Sequence, residues 1–561
     1  MTAGPGLLDP SPFDPAVLCP LTTDAALRQA VALAPGVEAI IGPDGRLTYG
    51  ELGAEVARIR AGLNGLGVQH GEHVGICLGN GWRFMALFLA VGSMGAVAVP
   101  VNTRLRAGEI AYALRQSRVR TLVVADRLLR TDFVALLRGI CPAIDGMLPD
   151  PAFPDLRNLV VLGDDVPGGA VAWTVFLAAG VPAAPCCAPD DILLIQYTSG
   201  TTASPKGVLL RHRSLLGNGF VSGGRMGLRV ADRFHSARPF FHVAGTSLSI
   251  LACVQHAATL VTMERFEPSE ALAQMERERC THFSGNDTMA LMLLNHPDRP
   301  TRRLALRGAW AAASPSIVRR IIDEMGAREC VVGYGLSEAS PNVAQSCWWE
   351  PDDVRAAGRM APQPGVEVRV TDGDGADAPS GCIGEIRVRG YTVMAGYYDK
   401  PAETAAALDA GGWLLTGDLG RLGTDGRLEF AGRAKDLIRV GGENVAPAEI
   451  EDILHRHPVI RQVVVVGVPD PRLMEVACAF IVLNDGVLNE GVLNGEVLKD
   501  GQEAGGIADA ILAWSRDNMA GYKVPRHIRI VDGFERIGMT ASSKIQRRQL
   551  RDHAVALLGL A

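Results

Sequence analysis

The densest run of groups able to handle phosphate lies at Gln196 to Arg211, QYTSGTTASPKGVLLR, directly after the apolar string Ile192 to Ile195. Thr198, Ser199, Thr201 and Thr202 bring hydroxyl groups, Gly200 and Gly207 flank the turn, and Lys206 adds one positive charge. A segment of this composition can wrap backbone N–H groups around phosphate oxygens while hydroxyls and an ammonium add donors. It is not the Gly-Lys-Ser/Thr loop of nucleoside triphosphatases, because Lys206 precedes Gly207 and the residues beyond are apolar. On composition alone the run fits a solvated Ser/Thr turn as well.

The chain that must position this run has 561 residues, more than the roughly 250 to 300 at which single cores stop growing, so two or more domains are expected. From about Leu47 to Ala125 long helical periods alternate with short apolar strings, HVGICL and AVAVPVN, the pattern of a sheet covered by helices. Similar units recur at Ile192 to Ile195, Thr259 to Met263 and Glu329 to Val332. From Gly365 onward strands such as VEVRV and GEIRVRG follow one another across Gly-rich turns. A final block predicts helix 447–456, strands 462–468 and 476–483, helix 508–519 and strand 527–531, enough for a small core of its own. The fold class expected is α/β: a large N-terminal domain of several layered subdomains, residues 1–432, and a small α+β C-terminal domain, residues 433–561. Residues 484–506, NDGVLNEGVLNGEVLKDGQEAGG, read as a surface excursion of low complexity.

Several strings, in order, resemble the adenylate-forming enzymes, the superfamily of acyl- and aryl-CoA synthetases, peptide-synthetase adenylation domains and firefly luciferase. The resemblance covers nearly the whole chain, from about Leu47 to Leu550. QYTSGTTASPKG is similar to their phosphate-binding signature, with Ala203 where Gly is usual; a methyl group there restricts positive φ. GYGLSEAS (333–340) resembles the adenine and metal segment. That resemblance implies Tyr334 on the adenine, with Gly335 and Ser337 beside it (Ser337 where Thr is usual), and Glu338 on Mg2+. WLLTGDLG (413–420) resembles the ribose segment, implying Asp418 as acceptor for both ribose hydroxyls.

FAGRAKDLIRVGGENVAPAEIE (430–451) resembles the hinge: Arg433 on ribose or phosphate, Lys435 as pivot, and Gly441, Gly442 and Glu443 lining the thiol tunnel. ERIGMTASSKIQRRQLRD (535–552) resembles the motif of the adenylation lysine, Lys544, although Ser543 stands where Gly is common and Gly538 and Met539 replace a usual Pro-Arg. PFFHVAGTS (239–247) resembles the acyl-site segment, with His242 as gate or lining. RGAWAAASP (307–315) departs from the small residues common there by carrying Trp310, and HFSGNDTMALMLL (282–294) contributes another wall, where Ser284, Asn286 and Asp287 offer groups for a polar substituent.

The resemblance implies two steps: a carboxylic acid displaces pyrophosphate from Mg-ATP, then a thiol displaces AMP. Lys206, Glu338, Lys544 and His242 would serve the chemistry; ATP, Mg2+ and coenzyme A are the implied cofactors. A carrier protein, an amine or an unusual nitrogen nucleophile are alternative acceptors, and a non-catalytic nucleotide-binding protein is the rival of another class. Trp310 favours a short, medium, branched, alicyclic or aromatic acid. The 55 Lys+Arg against 61 Asp+Glu, net −6, leave no broad basic field for nucleic acid. Eleven scattered cysteines and the absence of an 18-residue apolar run or a signal-like start predict a cytoplasmic protein with reduced thiols and no membrane span. Patterning leaves the oligomeric state open.

Overall fold

The computed structural model describes residues 19–198, 205–441, 443–484, 505–534, 537–539 and 545–560. Two large sheets dominate the first 360 residues or so. One has nine strands, with Arg233–Ser236, Thr259–Val261, His282–Asn286, Gly308–Ala312 and Glu329–Gly335 running parallel at its centre. The other has eight, and its centre is the parallel set Val97–Pro100, His73–Cys77, Thr121–Ala125 and Asn158–Leu162.

Parallel strands buried on both faces read as continuous apolar runs, which is why TLVVA and VAVP lack polar alternation. Their side chains still divide by parity. Leu122 and Val124 join one core and Val123 and Ala125 the other, on the opposite face. Helix Trp82–Ser93 is apolar all round and buried from Phe84 to Ser93, sharing one core with Val74 and Ile76 of the eight-stranded sheet and Ile40 and Leu260 of the nine-stranded one. A helix with no polar stripe belongs inside a domain. No helix among the described residues is long and apolar enough to cross a membrane.

A four-stranded antiparallel sheet follows: Val366–Thr371, Gly384–Gly390, Leu414–Leu422 and Leu428–Arg433. The remaining chain builds separate cores. In strand Ile460–Asp470, Val463 and Val465 face helices Pro447–Leu454 and Gly505–Asn518, whereas Val464, Val466 and Val468 face helix Arg547–Leu558. The fold is therefore the expected α/β assembly with a small α+β unit at its end. All eleven cysteines are free.

The small unit touches the large one along helices Asp287–Leu294 and Pro315–Glu324. Ser316 N donates to Asp452 Oδ1 at 3.2 Å, and Gln462 Nε2 to Thr288 Oγ1 at 3.4 Å. Most of the 484–506 stretch lies outside the described residues.

Candidate active site

The phosphate-loop candidate is held by a hairpin. Strand Ile192–Thr198 pairs antiparallel with Lys206–Arg211, so Thr198 stands opposite Lys206. Ser199, Gly200, Thr201, Thr202 and Ala203 lie between them, outside the described residues. Strand Gly396–Tyr397 pairs onto the far side of the hairpin, with Val208 opposite Tyr397. This pairing brings Tyr397 under Lys206, whose ammonium lies 4.9 Å from the ring centroid.

Tyr397 also links Lys206 to the metal candidate. Its hydroxyl donates to Glu338 Oε1 at 2.9 Å, and Met394 N donates to the Glu338 carbonyl at 2.8 Å. Burial first, then the Glu338 charge, push the phenol pKa up, so the hydroxyl keeps its proton and remains a donor. Ser337 and Glu338 occupy a 3₁₀ turn after strand Glu329–Gly335. Gly335 is obligatory for close approach: a Cβ there would lie 1.8 Å from the Pro341 carbonyl oxygen.

A buried polar network fixes this turn from behind. Asn218 Nδ2 donates to Asn342 O at 2.7 Å, Ser222 Oγ to Gln345 Oε1 at 2.8 Å, and Asn342 Nδ2 to the same oxygen at 2.7 Å. The fully buried Arg225 closes the network on carbonyls of Gln345, Ala361 and Pro362.

The adenine and ribose candidates meet. Tyr334 hydroxyl donates to Asp418 Oδ2 at 2.9 Å, and Arg433 Nε lies 3.3 Å from Asp418 Oδ1, on a residue paired with Asp418 across two strands. Tyr334 is only 6% exposed, and its ring stacks on Phe430 with centroids 5.3 Å apart. Phe430, 44% exposed, is the open aromatic surface of the pair. Burial, followed by the Asp418 charge, drives the Tyr334 pKa well up and keeps its hydroxyl a donor.

On the acyl side, His242 begins a short helix and its Nδ1 accepts from Ala244 N at 3.2 Å. The segment before it is pinned by Asn80, which receives Phe240 N at 2.8 Å and donates to Arg238 O at 2.9 Å. Trp310 lies in strand Gly308–Ala312, 6% exposed. Asn286 Oδ1 caps helix Asp287–Leu294 through Met289 N at 2.9 Å, so that oxygen serves the helix. Asp287 Oδ1 accepts from Ser314 N at 2.8 Å, at the foot of strand Gly308–Ala312.

The hinge candidates Arg433 and Lys435 sit at the strand end and in the 3₁₀ turn Ala434–Asp436. Beyond them Val440 pairs with Glu443, and Gly441 adopts φ +58°, a left-handed conformation suited to Gly. Gly442 and Lys544 lie outside the described residues, while Met539 and Ile545 on either side of the lysine segment form an antiparallel bridge.

Sequence reading missed Tyr397, Phe430, Asn80 and the Asn218–Asn342–Gln345 network. Tyr397 carried one signal, a Gly-Tyr pair in an otherwise apolar stretch, but its partners are 59 and 191 residues away. The others had none.

The fold and these convergent groups define an adenylate-forming enzyme. The chain belongs to the AMP-binding enzyme family, whose profile matches residues 27–398, with the AMP-binding enzyme C-terminal domain matching residues 449–544. It is 35% identical to the 3-[(3aS,4S,7aS)-7a-methyl-1,5-dioxo-octahydro-1H-inden-4-yl]propanoyl:CoA ligase of Mycobacterium tuberculosis, over 95% of this chain and 98% of that one. It is 30% identical to the human mitochondrial medium-chain acyl-CoA ligase, over 96% and 88%. Among solved structures it is similar to an anthranilate CoA ligase in complex with anthranoyl-AMP, at TM-score 0.83 and 26% identity over 97% of this chain and 99% of that one. The chain is thus an ATP-dependent, AMP-forming acyl-CoA ligase by family.

Proposed function

We propose that this ligase activates a compact carboxylic acid, of short or medium length or with a branched, alicyclic or aromatic body, and passes it to coenzyme A. The observation that carries the reading is the joined set Lys206–Tyr397–Glu338 beside Tyr334–Asp418–Arg433. The first set supplies a cation and a carboxylate at the end of the loop hairpin; the second supplies a ribose acceptor with an aromatic surface beside it. The acid choice rests on Trp310, whose indole fills space at the acyl wall.

In the first step the acid's oxygen attacks the α-phosphorus of ATP and pyrophosphate leaves. Lys206 and the backbone donors of its loop hold the phosphates, and Lys544 offsets charge as the bond to pyrophosphate breaks. Asp418 receives the ribose hydroxyls, with Tyr334 and Arg433 fixing its carboxylate. Glu338 is a single carboxylate at a phosphate site, which suits the habit of Mg2+ of binding one or two carboxylates plus substrate phosphates. Bound there, the ion would neutralise phosphate charge.

In the second step the thiol attacks the acyl carbon and AMP leaves. The small unit, divided from the large one near Gly432 to Lys435, turns about Lys435 to exchange Lys544 for Gly441 to Glu443, so one acyl site serves both reactions. His242 lines the entry.

The test supplies Mg-ATP, coenzyme A and a panel of acids and reads AMP and acyl-CoA together by mass spectrometry. Matching AMP and acyl-CoA from one acid class is expected. Acid-dependent AMP without acyl-CoA would overturn the acceptor, and no acid-dependent AMP would overturn the acid class.

A further inference from the structure

The acyl wall holds three donors that the two steps leave unused. Arg238 follows strand Arg233–Ser236 and precedes His242 by four residues. Its guanidinium lies 4.1 Å from the centroid of the Trp310 ring. Its Nη1 is buried with no hydrogen-bond partner among the described residues, and the same holds for Trp310 Nε1 and Ser284 Oγ. Ser284 and Trp310 are register partners on adjacent parallel strands, so they project from the same face of the sheet, 2% and 6% exposed.

The placement is built. A Cβ at Gly333 would lie 2.5 Å from Trp310 Cζ2, so the glycine makes room for the indole. Asn80 clamps the backbone on both sides of Pro239. Burial alone lowers the Arg238 pKa to about 9, with no acidic neighbour raising it again. A half-buried guanidinium whose Nη1 is buried with no carboxylate against it, beside two unmade hydrogen bonds, is a costly arrangement in a folded protein. A carboxylate arriving with the substrate would be a bidentate partner for the guanidinium, with the Trp310 N–H and Ser284 O–H as further donors on the same face of the sheet.

We infer that Arg238, Trp310 and Ser284 form a subsite for a second carboxylate, and that the acid substrate is a dicarboxylic acid of which one end is activated and the other stays ionised against Arg238. The inference rests on reading the chain as an acid–CoA ligase with its acyl site beside His242.

The experiment compares dicarboxylic and monocarboxylic acids matched in chain length, with the wild-type enzyme and the variants R238M, W310F and S284A, by acyl-CoA formation. At its best chain length the wild type is expected to favour the diacid by about 10- to 100-fold in kcat/KM, the worth of a charge-assisted hydrogen bond. That ratio should collapse in R238M and fall in W310F, which keeps the ring and loses the N–H. If R238M does not fold, W310F and S284A carry the comparison.

A wild type that favours the monoacid at every length overturns the subsite, as does a ratio unchanged in all variants that fold. Monoacids converted without any diacid preference sink this inference and leave the ligase intact, whereas AMP formed with no acyl-CoA from either series sinks the ligase reading instead.

Discussion

The hydroxyl of Tyr397 ties a carboxylate to a cation through one ring, since it donates to Glu338 while the ring carries Lys206. Removing that hydroxyl in Tyr397→Phe leaves the ring under Lys206 and frees Glu338 to wander. One hydrogen bond to a charged group is worth about 1.5–3 kcal/mol, so acid-dependent exchange between ATP and pyrophosphate should slow about 10- to 100-fold. An exchange rate equal to wild type would remove Tyr397 from the site. Asp418→Asn keeps the shape but weakens the pairing with Arg433 and the acceptor offered to a ribose. Its KM for ATP should rise roughly tenfold or more, with a smaller change in kcat; a change confined to kcat would place Asp418 in chemistry rather than nucleotide binding.

At the scale of elements, the turn bearing Glu338 is held by helix His212–Met226 through side chains the strand itself lacks. Arg225 donates to three carbonyls from inside the core. Arg225→Met keeps the bulk and abandons those oxygens, which should cost roughly 3 kcal/mol or more, measured as a lower urea midpoint. A midpoint within error of wild type would show that water or a neighbour replaces the guanidinium. These elements were legible as types: helix Pro447–Leu454 and strands Ile460–Asp470 and Met474–Leu483 fall where periodicity put them. What links helix to turn was not legible, because Asn218 and Asn342 are polar residues 124 positions apart with no local pattern.

For the whole molecule, three buried histidines add a dependence on acid. Burial pushes His212, His235 and His282 down to about 4 from an ordinary 6.5. Between those values the unfolded chain binds more protons than the folded one. The stability these three contribute is therefore full above about pH 6.5 and is lost as pH drops toward 4. The loss by pH 5 is roughly 2 kcal/mol per histidine, seen as a falling Tm, and His235→Asn should make that slope shallower. A Tm that rose on acidification from pH 7 to 5 would contradict it. The two-state use of the small unit has its own measurement. Lys544→Ala should lose acid-dependent AMP release yet still convert a supplied acyl-adenylate to thioester with coenzyme A; loss of both halves together would argue against separate arrangements.

Order along the chain determined much here. Motifs such as GYGLSEAS, WLLTGDLG and FAGRAKDLIRVGG are contiguous, so their residue types survive as strings and state the family, the α/β architecture and Glu338, Asp418 and Arg433 as site candidates. Only the tertiary structure decided which groups meet. It took sheet register to put Asp418 opposite Arg433 and Ser284 opposite Trp310. Packing between distant segments set Arg238 over Trp310, covered Tyr334 while leaving Phe430 open, and joined Asp287 to Ser314. The reason is physical: backbone periodicity and turn chemistry act over a few residues, whereas burial and hydrogen-bond satisfaction depend on which surfaces the whole chain brings together.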